Sequence, residues 1–149
     1  MDLAQLQAAF TIELAAVNRK LRTLVDKRVR DMGLTLARAR VLMELARQDG
    51  PIQSDLADLL DIEQPTLVRL VDGLERGGMV ERRAVDGDRR VRRVFLTETA
   101  HAQAQDILAF LAELRADILH GIAPHELEAA LDVLRRTSRN IAAGRRAAP

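Results

Sequence analysis

Apolar residues at helical spacing run along both ends of the chain, and they constrain the fold more than any other feature. In the first segment the series begins with Phe10, Leu14 and Val17 and continues to Leu24 in steps of four and three residues. Such steps place the side chains on one face of an α-helix, whereas a half-buried strand needs steps of two. The pattern predicts a long first helix that stops near Gly33.

Two more segments with this spacing fill the C-terminal third. Thr97 is a suitable N-cap for one long helix. Pro124 opens a last helix, since proline is favourable at the first helical position. The apolar residues of the two helices are Ile107, Leu111, Leu114 and Ile118, then Leu127, Leu131, Leu134 and Ile141.

Shorter patterns lie between the long helices. Residues 35–48 predict a helix that ends at the breaker Asp49-Gly50-Pro51. Residues 54–60 and 64–76 predict two more helices, separated by only three residues. This spacing is typical of a helix-turn-helix.

A β-hairpin is predicted directly after this helix pair. Gly77-Gly78 ends the second helix, and residues 79–83 and 92–96 are typical of strands around the turn formers Asp86-Gly87-Asp88. The predicted order of elements is therefore α-α-α-α-β-β-α-α. The length of 149 residues is about that of one domain.

The long terminal helices carry more apolar surface than a single chain of this size covers well. Exposed apolar surface of that extent normally marks an interface. We therefore expect a twofold homodimer in which the terminal helices pack against a second copy, with a self-contained helical bundle as the alternative. The residues predicted to form the dimer contact are Phe10, Leu14, Val17, Ile118, Leu131, Leu134 and Ile141.

The helix over residues 64–76 has two distinct faces. At 100° per residue its apolar residues fall in one narrow sector, and Arg69 lies in the opposite one. The N-terminal end of such a helix enters the major groove, where Gln pairs with adenine, Arg with guanine, and Pro, Val or the Thr methyl contact thymine. An ordinary amphipathic surface helix is the alternative. The candidate DNA-reading residues are Gln64, Pro65, Thr66, Val68 and Arg69.

Arginines are concentrated in the hairpin. From Arg82 to Arg93 there are six arginines against two acids, Asp86 and Asp88, which is a local charge of +4. Such a charge repels itself in isolation, and a phosphate backbone or a narrow minor groove is the obvious partner. A solvated basic hairpin is the alternative. The whole chain has 23 Lys and Arg against 22 Asp and Glu, so the charge is segregated rather than large.

The composition excludes several classes of protein. The chain has no Cys, which removes disulfides, thiolate zinc sites and thiol catalysis. Three Phe, no Trp and no Tyr argue against stacking of single-stranded bases, while double-stranded DNA is unaffected. No apolar run approaches the length of a membrane span and no basic leader begins the chain, so we expect a soluble cytoplasmic protein.

The sequence also lacks the patterns that enzymes and metal sites need. It has no Gly-rich phosphate loop, no nucleophile elbow and no paired carboxylates of the kind used in acid–base catalysis. His101, His120 and His125 have no acidic or Cys partner at ligand spacing. We therefore expect no metal, no cofactor and no catalytic residue.

Three segments of the sequence resemble the MarR family of bacterial regulators, and more narrowly its SlyA branch. Ile62-Glu63-Gln64-Pro65-Thr66-Leu67-Val68-Arg69 looks like the start of the recognition helix in SlyA-type proteins. Asp88-Arg89-Arg90, followed after five residues by Leu96-Thr97, matches the wing signature of the family. Ile118-Leu119-His120-Gly121-Ile122 is similar to the segment before the last helix in that branch. The resemblance covers nearly the whole chain.

The resemblance implies a fold that is mainly α with a small β-hairpin wing, a winged helix-turn-helix with N- and C-terminal dimerisation helices. It implies a single domain over residues 1–149, with the DNA-binding lobe at 35–97. The dimerisation helices then lie at 1–33 and 98–145, and residues 146–149 form a flexible tail.

The resemblance also assigns roles to individual residues. It implies that Arg69 reads the major groove and that Arg90 enters the minor groove while Asp88 holds it in place. Arg89 belongs to the same DNA-binding motif. The helix-turn-helix bend often contains Gly, and here Asp61 occupies it, a residue that tolerates the left-handed conformation better than most.

Family members commonly respond to small aromatic carboxylates or phenolic compounds, in a pocket between the dimerisation helices and the DNA-binding lobe. Residues 19–40 have eight basic side chains against two acids, a local charge of +6. An Arg from this set can hold a carboxylate by two parallel hydrogen bonds, and Arg19, Arg22 and Arg38 are the candidates. Phosphate contacts or salt bridges on the helix faces are the alternative. SlyA-like proteins have an aromatic near this pocket, where this chain has Ala39.

These observations favour a homodimeric transcriptional regulator, repressor or activator, that binds a pseudo-palindrome in double-stranded DNA. A small anionic aromatic ligand is expected to release it. The competing hypothesis is a winged-helix module whose basic hairpin meets an acidic protein surface. An enzyme that uses the fold as a scaffold is a third hypothesis, which the missing catalytic constellation disfavours.

Overall fold

The computed structural model describes residues 1–146, apart from the side chains of Arg89, Arg145 and Arg146. Within this part of the chain six helices and one two-stranded antiparallel sheet follow the predicted order. The elements are α1 (Leu3–Asp31), α2 (Leu36–Arg47), α3 (Gln53–Leu60), α4 (Gln64–Arg76), β1 (Val80–Val85), β2 (Asp88–Leu96), α5 (Glu98–Ile118) and α6 (Pro124–Arg146).

Local capping explains where several helices begin. The Asp2 side chain accepts a hydrogen bond from the Gln5 N–H and forms a capping box at the start of α1. Thr35 caps α2 in the same way by accepting from the Arg38 N–H. The predicted cap Thr97 accepts from the Ala100 N–H at 3.3 Å. The predicted helices are therefore confirmed within one or two residues.

The turn between α3 and α4 depends on one residue in a left-handed conformation. Asp61 has φ 52° and ψ 50°, and it is the one non-glycine residue with positive φ in the described chain. Its N–H bonds to the Asp58 carbonyl, and the Ile62 N–H bonds to the Ala57 carbonyl. Because this single residue reverses the chain, only three residues separate the end of α3 from the start of α4.

The hairpin is longer than predicted, and its pairing is irregular. The strands were expected at 79–83 and 92–96, but they extend to Val85 and back to Asp88, because backbone pairing continues through the arginines. The ladder is regular from Val80–Leu96 to Ala84–Arg92, and the next pair is Val85–Asp88. Residues 89–91 are thus extra on β2 and form a bulge beside the turn.

The hydrophobic core lies in the segment from Met1 to Leu111, which forms one compact unit. Helix α4 contributes Leu67, Val71 and Leu74, the apolar sector predicted from its sequence. The other buried apolar residues are Val29, Leu34, Ala39, Val41, Leu42, Leu45, Leu56, Ala57, Leu60, Val80, Val94, Leu96, Ala100, Ala104 and Ile107.

A second compact unit begins at Ala112 and contains the end of α5 and all of α6. No described residue of this unit is buried. The predicted division into a DNA-binding lobe and dimerisation helices stays a prediction. Of the predicted flexible tail, residues 147–149 lie outside the described residues. No helix within residues 1–146 is both long enough and apolar enough to span a membrane.

Candidate nucleic-acid interface

The first two turns of α4 present the predicted DNA-reading residues at the surface. Gln64, Pro65, Thr66 and Arg69 are exposed, while Val68 is half-buried. Pro65 occupies the first turn, where a missing N–H costs nothing. Glu63 is the N-cap but makes no capping bond through its side chain. The exposed side chains therefore surround a helix N-terminus that no described side chain caps.

Gln64 has a structural contact as well as an exposed face. Its side-chain N–H₂ donates to the Ser54 carbonyl at 3.1 Å, which ties the start of α4 to the first turn of α3. The amide oxygen and the second N–H have no protein partner in the described part of the chain. The contact orients the amide and leaves one donor and one acceptor for a base edge.

A surface depression of about 540 Å³ lies beside the helix-turn-helix bend. Gln64 and Thr66 line it together with three carboxylates, those of Asp58, Asp61 and Glu63. Carboxylates repel phosphate, so a DNA backbone is disfavoured in this depression.

The bulge on β2 presents Arg90, and Asp88 shapes the backbone there. The Asp88 carboxylate accepts a hydrogen bond from the Arg90 main-chain N–H at 2.8 Å. Asp88 therefore holds the backbone of Arg90 and leaves the guanidinium exposed and without a protein partner among the described residues. The side chain of Arg89, also predicted to bind DNA, lies outside the described residues.

Three of the other wing arginines have partners within the protein. Arg82 binds Asp72, Glu75 and Gln53, and its side chain is only 18% exposed. Arg83 pairs with Glu81 and lies over the Phe95 ring, 4.1 Å from its centroid.

Arg93 likewise donates to the Gly50 carbonyl at 3.1 Å. Arg92 is exposed and has no partner among the described residues. The local charge of +4 therefore overstates the charge available to DNA, because sequence counting cannot see internal partners.

Strand alternation could have identified Arg82 as an internal residue. Successive strand residues point to opposite faces of the sheet, so Arg82 lies on the face of the buried Val80 and Arg83 on the other. Asp72 and Glu75 on α4 then complete the contact from a distance of seven to ten residues in sequence. The fold brings these residues together, and no local pattern in the sequence predicts the contact.

The three arginines proposed as ligand contacts do not lie together. Arg22 lines a depression of about 310 Å³ between α1 and α2, with Asn18 and Arg40. The Arg38 guanidinium instead lies against Gly73 of α4, where an added Cβ would be 2.8 Å from its Nη2.

Arg19 is exposed and does not line the depression. Arg40, which had not been predicted, also donates to the Leu60 carbonyl at 2.9 Å. In the described chain no three His, Cys, Asp or Glu side chains lie close enough to hold a metal ion.

A helix pair with a three-residue turn, followed by a two-stranded hairpin that carries exposed arginine, defines a winged helix-turn-helix protein. The wing is the hairpin of β1 and β2, and α4 is in the position of the recognition helix. Comparison with known proteins agrees with this class. The MarR family model matches residues 32–91, from the end of α1 into the wing.

Solved structures extend the similarity over most of the chain. The transcriptional regulator PA3341 is 42% identical, with 89% of this chain and 98% of that chain covered and a TM-score of 0.79. The transcriptional regulator SlyA is 21% identical, with 91% and 95% covered and a TM-score of 0.80. A MarR family transcriptional regulator from Listeria monocytogenes, solved in complex with 26mer DNA, is 22% identical, with 90% and 89% covered and a TM-score of 0.80.

The chain therefore belongs to the MarR family of transcriptional regulators, and the predicted family and fold class are confirmed. The family consists of regulators rather than enzymes. The likeness to SlyA at 21% identity is a likeness of fold, and the SlyA-like branch stays a prediction.

Proposed function

We propose that the protein is a homodimeric regulator that binds a pseudo-palindromic operator in double-stranded DNA through α4 and the wing. The observation that carries this proposal is the exposed start of α4, where Gln64, Thr66 and Arg69 lie together. In helix-turn-helix docking these positions meet base edges in the major groove. Arg69 would bond to guanine O6 and N7, and Gln64 to adenine.

The wing supplies the second contact. Arg90 is exposed on a bulge, and Asp88 holds the main chain of Arg90 by a hydrogen bond. The guanidinium therefore extends from a backbone of fixed position. Narrow minor grooves have an enhanced negative potential that attracts an inserted arginine. We assign Arg90 to the minor groove beside each half-site, and Arg92 to a phosphate of the same flank.

Exposed apolar side chains support the proposal that two copies of the chain form a dimer. Phe10, Leu14 and Val17 on α1 are 38%, 39% and 49% exposed, and they follow one helix face. The predicted dimer residues of the second unit, Ile118, Leu131, Leu134 and Ile141, are also at least 39% exposed. Association of two copies removes this apolar surface from water.

Dimerisation sets the form of the operator. Two recognition helices of a twofold dimer meet half-sites about 10 bp apart, so the operator spans roughly two helical turns. The Listeria monocytogenes relative was crystallised with 26mer DNA, which is long enough for such a site. Because its ligand would be bacterial chromosomal DNA, we place the protein in the cytoplasm.

A small anionic aromatic ligand is proposed to lower the affinity for DNA. The site is the depression between α1 and α2, where Arg22 and Arg40 face a volume of about 310 Å³. Two guanidinium groups suit a carboxylate, and Val25 and Leu36 offer apolar contact for a ring. The ligand releases DNA only if it binds the free form more tightly than the DNA-bound form.

The proposed DNA contacts of Arg69 and Arg90 are tested by titrating the protein into a fluorescent DNA duplex at fixed salt concentration. The duplex is one that the wild-type protein selects from a random-sequence library. Arg69→Ala should weaken binding by about 1–3 kcal/mol and relax specificity at one base pair of each half-site. Arg90→Ala should also lower the affinity, because it removes the proposed minor-groove contact beside each half-site. Arg139→Ala, which removes an exposed arginine of α6, is the matched control and should leave affinity unchanged.

Two results would refute these assignments. Unchanged affinity in both Arg69→Ala and Arg90→Ala would show that α4 and the wing do not read DNA. Absence of salt-sensitive binding to any duplex would instead favour the protein-interaction module, because phosphate contacts make DNA binding strongly salt-dependent.

The ligand site is tested with benzoate and salicylate as probes. Either compound should weaken duplex binding by the wild-type protein, and Arg22→Ala should abolish that effect without changing the affinity for DNA alone. Arg19→Ala is the control, since Arg19 does not line the depression. If Arg19→Ala and Arg22→Ala respond alike, Arg22 does not hold the carboxylate.

A further inference from the structure

The most connected side chain of the wing is Arg82, near the base of β1. Its Nη2 donates to Asp72 at 2.5 Å, its Nη1 to Glu75 at 2.6 Å, and its Nε to Gln53 at 3.0 Å. Its main-chain N–H also donates to Glu75, at 3.3 Å. One side chain therefore joins β1 to the second half of α4 and to the first residue of α3.

This arrangement removes Arg82 from the set of groups available to DNA. Its side chain is 18% exposed, and two carboxylates already face the guanidinium. The cluster of Arg82, Asp72 and Glu75 has a net charge of −1, which does not attract phosphate. Glu75 and Asp72 accept from Nη1 and Nη2, and Gln53 accepts from Nε, so hydrogen bonds to three different residues hold all three nitrogens of the guanidinium.

On β1, Arg82 makes the outermost hydrogen bonds to the helices among the described residues, while on β2 Arg93, one ladder pair farther out, donates to the Gly50 carbonyl. Val80, Val94 and Leu96 anchor the base of the hairpin in the core, whereas no described residue from Arg83 to Arg93 is buried. The turn is four residues beyond Arg82, or about 13 Å of strand. A tilt of roughly 10° at this point moves the tip by about 2 Å, a third of the width of a minor groove of ~6 Å.

We propose that Arg82 is a positioning residue, which sets the angle between the wing and the recognition helix by clamping β1 to Asp72, Glu75 and Gln53. It acts on DNA through Arg90 and touches no phosphate itself. The clamp fixes the distance between α4, which contacts the major groove, and Arg90, which contacts the minor groove of the same half-site. This role rests on the proposed DNA-binding function.

Neutralising Asp72 tests the clamp, because electrostatics and positioning predict opposite signs. Asp72 lies in the same sector of α4 as Arg69, so removing its charge should strengthen DNA binding if charge alone matters. If Asp72 holds Arg82, Asp72→Asn should weaken binding, with loss of protection at the outer flanks in a hydroxyl-radical footprint. Asp106→Asn on α5 removes an exposed acid that Arg82 does not contact, and it should leave binding unchanged.

A double-mutant cycle with Arg90 provides the second test. Arg82→Met should weaken binding about tenfold, as Arg90→Ala does, and the double variant should bind within about twofold of Arg90→Ala alone. The two changes share one effect because both remove the minor-groove contact. Arg82→Lys keeps the charge without the fork and should restore only part of the affinity.

The outcomes separate failure of the clamp from failure of the proposed function. Additive losses in the cycle, or tighter binding by Asp72→Asn, would overturn the positioning role while Arg90→Ala still weakens binding. If Arg90→Ala has no effect on any duplex, the assignment of the wing to DNA fails first. If circular dichroism shows that Arg82→Met does not fold, the sign of the change in DNA affinity in Asp72→Asn decides whether Arg82 has a positioning role. This variant should fold, because the Asp72 side chain is 42% exposed and asparagine has the same shape as aspartate.

Discussion

The contact between Gly50 and Phe95 yields a prediction whose size follows from the structure. Gly50 has φ +59°, and an added Cβ would overlap Cε1 and Cζ of the Phe95 ring and lie 3.0 Å from Cδ1. The Gly50 carbonyl also accepts from Arg93 of β2. A side chain here must therefore strain the backbone and move the ring that seats β2 on the loop between α2 and α3.

Gly50→Ala should destabilise the fold by about 3 kcal/mol. The left-handed backbone costs roughly 1 kcal/mol for a residue with a Cβ. Complete removal of a buried Phe side chain costs about 3–5 kcal/mol, and displacing a half-buried ring about half of that, or ~2 kcal/mol. Gly78→Ala is the matched control. It has φ +69° with no atom within 4 Å of the added Cβ, so it should cost only the backbone contribution of about 1 kcal/mol.

Urea denaturation followed by circular dichroism measures both variants at one protein concentration, since self-association shifts apparent stability. Gly50→Ala should also be repeated in a Phe95→Ala background. There the ring is absent, so the cost should fall to about 1 kcal/mol. Equal losses for Gly50→Ala and Gly78→Ala, or a cost that the Phe95 background does not change, would refute the steric explanation.

Two further predictions concern self-association and the turn. Leu14→Glu should abolish self-association in sedimentation velocity, because a charge in the apolar stripe of α1 would lose its hydration in an interface; Ile12→Glu, off the stripe and 68% exposed, should leave it intact. If both variants sediment like the wild type, α1 does not form the dimer. At the left-handed Asp61, Asp61→Gly should raise the thermal midpoint and Asp61→Val should lower it, since a β-branched residue fits this conformation least well. The reverse order of midpoints would show that the Asp61 side chain stabilises the turn.

Predictions that rest on local interactions agree closely with the structure. The recognition helix was predicted over 64–76, and α4 has those bounds. Thr97 caps α5 and Asp61 adopts the left-handed turn, as their residue types indicated. Such features depend on residues within one or two turns of chain, so a single sequence contains the information.

Predictions that depend on pairing between distant segments were less complete. The strands continue past the predicted ends because Ala84 pairs with Arg92 and, beyond a bulge, Val85 pairs with Asp88. Turn formers indicate where a hairpin reverses, but the register that follows depends on packing of the strands against the core. The bulge that presents Arg90 has no signature in composition.

The charge of the wing shows the same division most clearly. Arg82 and Arg83 are adjacent in sequence, yet one clamps α4 from a largely buried position and the other lies over Phe95 on the opposite face. Arg38 and Arg22 were candidates for one ligand site, but one lies against α4 and the other lines a depression between α1 and α2. Identical side chains thus have different roles according to the partners that the fold brings to them.

The sequence by itself determined the order of helices and hairpin, the apolar faces, the turn at Asp61 and the family of the chain. These follow from periodicity, backbone preference and motif, which act over a few residues. Only the tertiary structure decided which of the described arginines have internal partners, because a salt bridge between β1 and α4 depends on distances in space. The charge that the wing presents at its surface therefore depends on the neighbours of each side chain rather than on a count of charged residues in the sequence.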